Sequence, residues 1–159
     1  MKRKPLYLSI GSVSHGTLRS DDLIEAFRDT LQSVRGGTHH AAGIMRAHNK
    51  AIRDTAEKGI VEENTQAFID AETVEQFGDM LQAFCPDYCS FGSHPGDGAD
   101  FGVWVDFDRI EEDRRFGELL DVENVPKGYS GTAVEVNDHS NMTLYAYTRG
   151  RRRELWSIV

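Results

Sequence analysis

The stretch Thr132-Ala-Val-Glu-Val-Asn-Asp-His-Ser-Asn-Met-Thr-Leu-Tyr-Ala-Tyr-Thr-Arg-Gly-Arg-Arg-Arg-Glu-Leu-Trp-Ser-Ile-Val159 decides the fold class. Two polar clusters, Asn137-Asp-His-Ser-Asn141 and Arg149-Gly-Arg151, interrupt it. Asn, Asp, Ser and Gly close tight turns because they tolerate left-handed backbone or bond to it with short side chains. The remaining runs, Thr132–Val136, Met142–Thr148 and Arg153–Val159, read as three strands of a meander.

Upstream, Tyr88–Phe91 and Phe101–Val105 read as two more strands around Gly92–Asp100, taken as a long hairpin loop. Phe101, Val103 and Val105 fall on one face and Trp104 on the other. Residues 107–116 suit a short acidic helix. Near the N-terminus, Leu6, Leu8 and Ile10 alternate with Tyr7, Ser9 and Gly11, so Pro5–Val13 reads as a strand. Ser14–Thr17 reads as a loop.

Helical spacing fills the interval between. Leu23, Phe27 and Leu31 recur every four residues, with Ser20 placed as N-cap and Asp21 and Asp22 in the first turn. Gly36-Gly37 ends that helix. A second helix spans about His39–Lys58, and Glu62–Phe84 holds one or two more. Thr73-Val-Glu-Gln76 has the capping-box pattern of a fresh start. The sum is an α+β chain: one domain over residues 1–159, its helical N-terminal half packed on one face of a five- or six-stranded, mainly antiparallel sheet. The expected core is Leu23, Phe27, Leu31, Phe77, Leu81, Phe101, Val103, Leu144 and Leu155.

A chain of 159 residues can bury a sizeable core unaided. It contains two cysteines and no apolar run near the ~18 residues that cross a bilayer, so a reducing cytoplasm is the expected setting. The net charge of −8 is unevenly placed. Residues 1–58 carry 10 Lys+Arg against 6 Asp+Glu, residues 59–125 carry 3 against 17, and residues 126–159 carry 5 against 3. An acidic middle between basic flanks suits either a solvated surface or a contact with a basic partner.

The segment His94-Pro-Gly-Asp-Gly-Ala-Asp-Phe-Gly102 is the most distinctive. Its glycines permit positive φ, and Asp97 and Asp100, followed by Asp106 and Asp108, suit a hard-cation site. They equally suit a turn in which aspartates cap backbone amides, or a protein-contact loop. Cys85-Pro-Asp-Tyr-Cys89 has no second pair for zinc, and His39, His40 and His48 lack the spacing of ligands to one metal. Neither a phosphate-binding glycine loop nor a nucleophile elbow occurs. No metal or cofactor is expected, and catalysis is less expected than binding. Arg149-Gly-Arg-Arg-Arg153 suits phosphates or a solvated turn, without evident aromatic interleaving.

Together, Gly16-Thr-Leu-Arg-Ser-Asp-Asp-Leu-Ile24, His94–Gly102, Asn137-Asp-His-Ser-Asn-Met-Thr-Leu-Tyr145 and Glu154-Leu-Trp-Ser-Ile158 resemble small accessory proteins of tailed bacteriophages and prophages. The resemblance carries over no catalytic or binding residue. It implies a bacterial host cytoplasm, where small acidic phage proteins act on host machinery. Anti-CRISPR and anti-restriction DNA mimics are the best-understood kind. The expected function is thus a non-enzymatic interaction protein. It would inhibit or modulate a basic, nucleic-acid-handling host complex through Asp97, Asp100, Asp106, Asp108, Glu111, Glu112 and Asp113. Direct nucleic-acid binding and membrane contact are not expected, and the chain is expected to be a monomer or small homo-oligomer. The alternative is a small metal-dependent enzyme or nucleotide-binding domain built on residues 94–102. A phage morphogenesis factor is a third class.

Overall fold

A computed structural model describes residues 4–59 and 63–159. Glu62, the expected start of the third helical region, and the basic Met1–Arg3 lie outside the described residues. The fold is α+β, and the chain divides into two compact units: Met1–Cys85 with Ser90–Trp104, and Pro86–Cys89 with Val105–Val159.

The first unit holds β1 (Gly11–His15), α1 (Ser20–Ser33), α2 (Gly37–Glu57) and α3 (Glu63–Gln82), with most of β2 (Cys89–His94) and β3 (Asp97–Val105). The strand order is β1-β3-β2. The four-residue apolar spacing of α1 buries Leu23, Ile24, Phe27 and Leu31, and α3 adds Phe77 and Leu81. Burying each such side chain stabilises by about 1.5–3 kcal/mol. The Phe27 ring meets Phe91 of β2 and Phe101 of β3 edge-on, at centroid distances of 4.9 and 5.6 Å, tying helix to sheet. The short side chains of α2 bury only Gly37, Ala41 and Ile44.

The second unit holds α4 (Phe107–Phe116), β4 (Leu120–Asp121), β5 (Gly131–Val136), β6 (Met142–Thr148) and β7 (Arg151–Ile158). Its sheet runs β4-β5-β6-β7. The β5-β6-β7 meander is antiparallel, whereas β4 joins β5 in parallel. Ile110, Leu119, Val134, Leu144 and Trp156 form its core. The Trp156 indole N–H donates to the Asp87 carbonyl at 2.8 Å.

Several expectations need correction. The strands form two sheets of three and four, not one of five or six. The N-terminal strand begins at Gly11 rather than Pro5 and includes Ser14 and His15. Alternation over residues 5–10 misled because that segment's polar groups serve helix ends: Leu8 N–H donates to the Phe84 carbonyl and Arg35 N–H to the Pro5 carbonyl. Leu6 and Tyr7 are exposed. Ser20 is the first helical residue, and the N-cap position falls to Arg19 without a side-chain cap bond. Thr73 starts no helix; buried within α3, its hydroxyl donates to the Ile69 carbonyl at 2.8 Å. Phe101 and Leu155 are half-buried while the other seven expected core residues are buried. A bulge opposite Leu144/Tyr145 leaves Leu155 unpaired and turns Trp156 inward against Leu144.

Candidate functional site

The nine-residue loop expected at Gly92–Asp100 is a tight hairpin, with Pro95-Gly96 joining β2 to β3. Its local bonds explain the composition. His94 Nδ1 accepts from Gly96 N–H at 3.0 Å, and Asp97 Oδ1 accepts from Ala99 N–H at 2.9 Å. None of Gly96, Gly98 and Gly102 has positive φ, contrary to expectation. Gly102 is needed for space instead. A Cβ there would stand 2.4 Å from the Gly11 carbonyl oxygen on β1.

That pairing also occupies both loop carboxylates. Asp97 Oδ2 lies 3.3 Å from His15 Nε2, and Asp100 accepts from the Ser12 hydroxyl. Asp97 and Asp100 belong to the first unit, Asp106 and Asp108 to the second. Among the described residues, no three His, Cys, Asp or Glu side chains are grouped as a metal ion requires.

Asp106 and Asp113 are occupied as well. Asp106 caps α4, its Oδ1 accepting from Arg109 N–H at 3.0 Å. Asp113 has a side chain only 18% exposed, accepts from the Tyr88 hydroxyl at 2.8 Å and lies 3.9 Å from Arg109 Nε. The Arg109 guanidinium stands 5.0 Å above the Tyr88 ring. These contacts hold Tyr88 at φ +61°, a left-handed conformation costly for a bulky residue. Burial, then the Asp113 carboxylate, push the Tyr88 hydroxyl up to about 12. Of the seven expected contact residues, Asp108, Glu111 and Glu112 have no polar side-chain partner among the described residues. They share α4 with Arg109, Arg114 and Arg115, and Arg114 pairs with Asp121 at 2.8 Å.

Helix α3 falls within the helical stretch expected at Glu62–Phe84, but its acidic stripe was not among the expected contact residues. The helix contains Glu63, Asp70, Glu72, Glu75 and Asp79 and no Lys, Arg or His. Asp70 is used internally, accepting from Gln66 Nε2 at 2.8 Å and lying 3.7 Å from His48 Nε2. Thr73 spends its one hydroxyl proton on Ile69, so it accepts from His48 Nδ1–H at 2.9 Å, which fixes that imidazole between α2 and α3. Glu72, Glu75 and Asp79 are exposed and meet no cation or donor among the described residues. Their i, i+3, i+7 spacing puts them on one stripe of the helix, with Phe68, 63% exposed, a turn before Glu72. The signal available in sequence was the absence of any cation over twenty residues.

Neither cysteine is in a disulfide, both are half-buried, and burial pushes the Cys85 thiol up to about 11. Burial thus favours the neutral thiol at Cys85. No helix among the described residues is long and apolar enough to cross a membrane.

No protein-family model, curated protein or solved structure matches the chain. The resemblance to phage accessory proteins rests on the quoted motifs alone.

Proposed function

We propose that this protein is a non-enzymatic interaction protein that binds a basic partner through the exposed face of α3. In the phage setting its motifs resemble, the partner is a host nucleic-acid-handling complex that the protein modulates or inhibits. One observation carries the reading: Glu72, Glu75 and Asp79 stand exposed on a single stripe with no internal counter-charge. Exposed like charges repel and weaken the folded state, so a row without i, i+4 cations has no structural gain. A basic groove that normally releases counterions from nucleic acid gains from such a row. Phe68 adds an exposed aromatic of the kind enriched at interface cores. Glu111 and Glu112 of α4 provide a second, weaker acidic surface, diluted by three arginines.

The test is association with a partner captured from bacterial lysate, at about 50 and about 200 mM salt. The triple variant Glu72→Gln/Glu75→Gln/Asp79→Asn is expected to associate about tenfold more slowly at the lower salt, because charge governs encounter. Glu111→Gln/Glu112→Gln is expected to change the rate less. Undiminished association of the triple variant contradicts the reading. Turnover of a nucleotide or other small substrate by the purified protein contradicts its non-enzymatic part.

A further inference from the structure

A second charged surface has the opposite sign. Lys127 and Arg149 stand where the Lys127-Gly128 turn meets the β6–β7 turn, and Arg151, Arg152 and Arg153 follow on β7. The two turns touch through glycines: a Cβ on Gly150 would stand 3.3 Å from the Gly128 nitrogen, and both residues have positive φ. Gly150 N–H donates to the Tyr129 carbonyl and Arg149 N–H to the Ser130 hydroxyl, locking the turns together. Lys127, Arg149 and Tyr147 line a cleft of about 460 Å³ here. None of the five cations forms an ion pair with a described residue.

The neighbouring sheet face is aromatic. Tyr145 and Tyr147 stand two residues apart on β6, hence on the same face, and cross-strand pairing adds Arg152 beside Tyr147. Val134, Leu144 and Trp156 are buried on the opposite face. The Arg152 guanidinium lies 4.7 Å over the Tyr145 ring, and Tyr129 meets Tyr147 edge-on at 5.8 Å. Glu135, which accepts from the Tyr145 hydroxyl at 2.9 Å, and Glu154 share the Tyr145 end of this face. Phosphates are therefore favoured at the Tyr147 end, where the cations are.

We infer that this end of the β5-β6-β7 sheet binds single-stranded nucleic acid, with Lys127, Arg149 and Arg152 on phosphates and Tyr147 as a stacking platform. Unpaired cations beside part-exposed aromatic rings on a sheet face are what a strand with unstacked bases requires, whereas a lone phosphate or an acidic peptide makes no use of the rings. The net charge of −8 opposes this contact only weakly beyond a Debye length of about 10 Å. Direct nucleic-acid binding was not expected from the sequence, because the tyrosines of residues 129–147 become neighbours of Arg149–Arg153 only through strand pairing. The inference is independent of the acidic α3 contact.

Fluorescence anisotropy of the full chain with a labelled oligothymidylate of about 16 nucleotides tests it. Three phosphate contacts predict roughly twentyfold weaker binding on a fourfold rise in salt. Arg149→Gln or Arg152→Gln, both at exposed positions, is expected to weaken binding and lower the salt slope by about 0.7. Tyr147→Leu is expected to cost roughly fivefold or more without changing the slope. Circular dichroism checks that each variant is folded, and the arginine variants decide if Tyr147→Leu is not. The variant Glu72→Gln/Glu75→Gln/Asp79→Asn is expected to bind the oligonucleotide at least as well as the wild type, separating this site from α3. No binding at about 100 μM protein and low salt overturns the inference. So does equal binding of polyglutamate, which assigns the surface to an acidic protein, or equal binding of duplex DNA with no loss in Tyr147→Leu.

Discussion

Helices α3 and α4 are both acidic, yet α4 sets its carboxylates among arginines and α3 does not. In α4, Asp106 caps the helix and Asp113 holds Tyr88, while Arg109, Arg114 and Arg115 lie on the same ten residues. In α3, twenty residues carry five carboxylates and no cation, and of Asp70, Glu72, Glu75 and Asp79 only Asp70 has a described polar partner for its side chain. Local charge density therefore does not identify a contact surface. A carboxylate that accepts from a cap amide or a buried hydroxyl is spent on folding. One that stands exposed and unpaired is the one left for another molecule.

The largest effect expected from this contrast is in α4. Asp113→Ala leaves the part-buried Tyr88 hydroxyl without its acceptor and is expected to lower stability by about 1–3 kcal/mol. The melting temperature should fall by about 3–10 °C. A fall under about 1 °C would erase the distinction between the helices.

Next comes a pH effect confined to Tyr88. Its folded-state value is raised from 10.0 to about 12, so the folded protein holds that proton longer than the unfolded chain. The associated stability is fully present below about pH 10 and is lost as pH rises through about 12. Denaturant unfolding across this window is expected to show a steeper loss in the wild type than in Tyr88→Phe. Parallel curves would remove Asp113 from its structural role. The smallest effect is in α3, where Glu72→Gln/Glu75→Gln/Asp79→Asn is expected to change stability by about 0.5 kcal/mol or less, upward at low salt. A clear destabilisation would mean that these carboxylates also serve the fold.

Much of the architecture was legible where one pattern dominated. The spacing of Leu23, Phe27 and Leu31 set α1, and the turn chemistry at residues 137–141 and 149–151 set the β5-β6-β7 meander. What failed depended on partners distant in sequence. Asp97–Asp100 has turn-like composition, but it is strand: Asp100 pairs with His15 and the Ala99 carbonyl accepts from Gly16 N–H. Thr73 matches a capping box, but α3 runs on because Thr73 is buried and bonded within it. Whether Asp113 is free depends on Tyr88 being folded against α4, which no local window contains. Likewise, the intramolecular partners of Asp97, Asp100, Asp106 and Asp113, four of the seven carboxylates expected at a contact, appear only in the fold.

The central claim, that α3 rather than α4 meets the partner, is tested most directly by site-specific photo-crosslinking. A photoreactive residue at position 75 is compared with one at position 111, each in the otherwise wild-type chain in bacterial lysate. The expected result is a discrete adduct from position 75 that fades between about 50 and about 200 mM salt, with little from position 111. An adduct from position 111 without one from position 75, or no adduct from either, contradicts it.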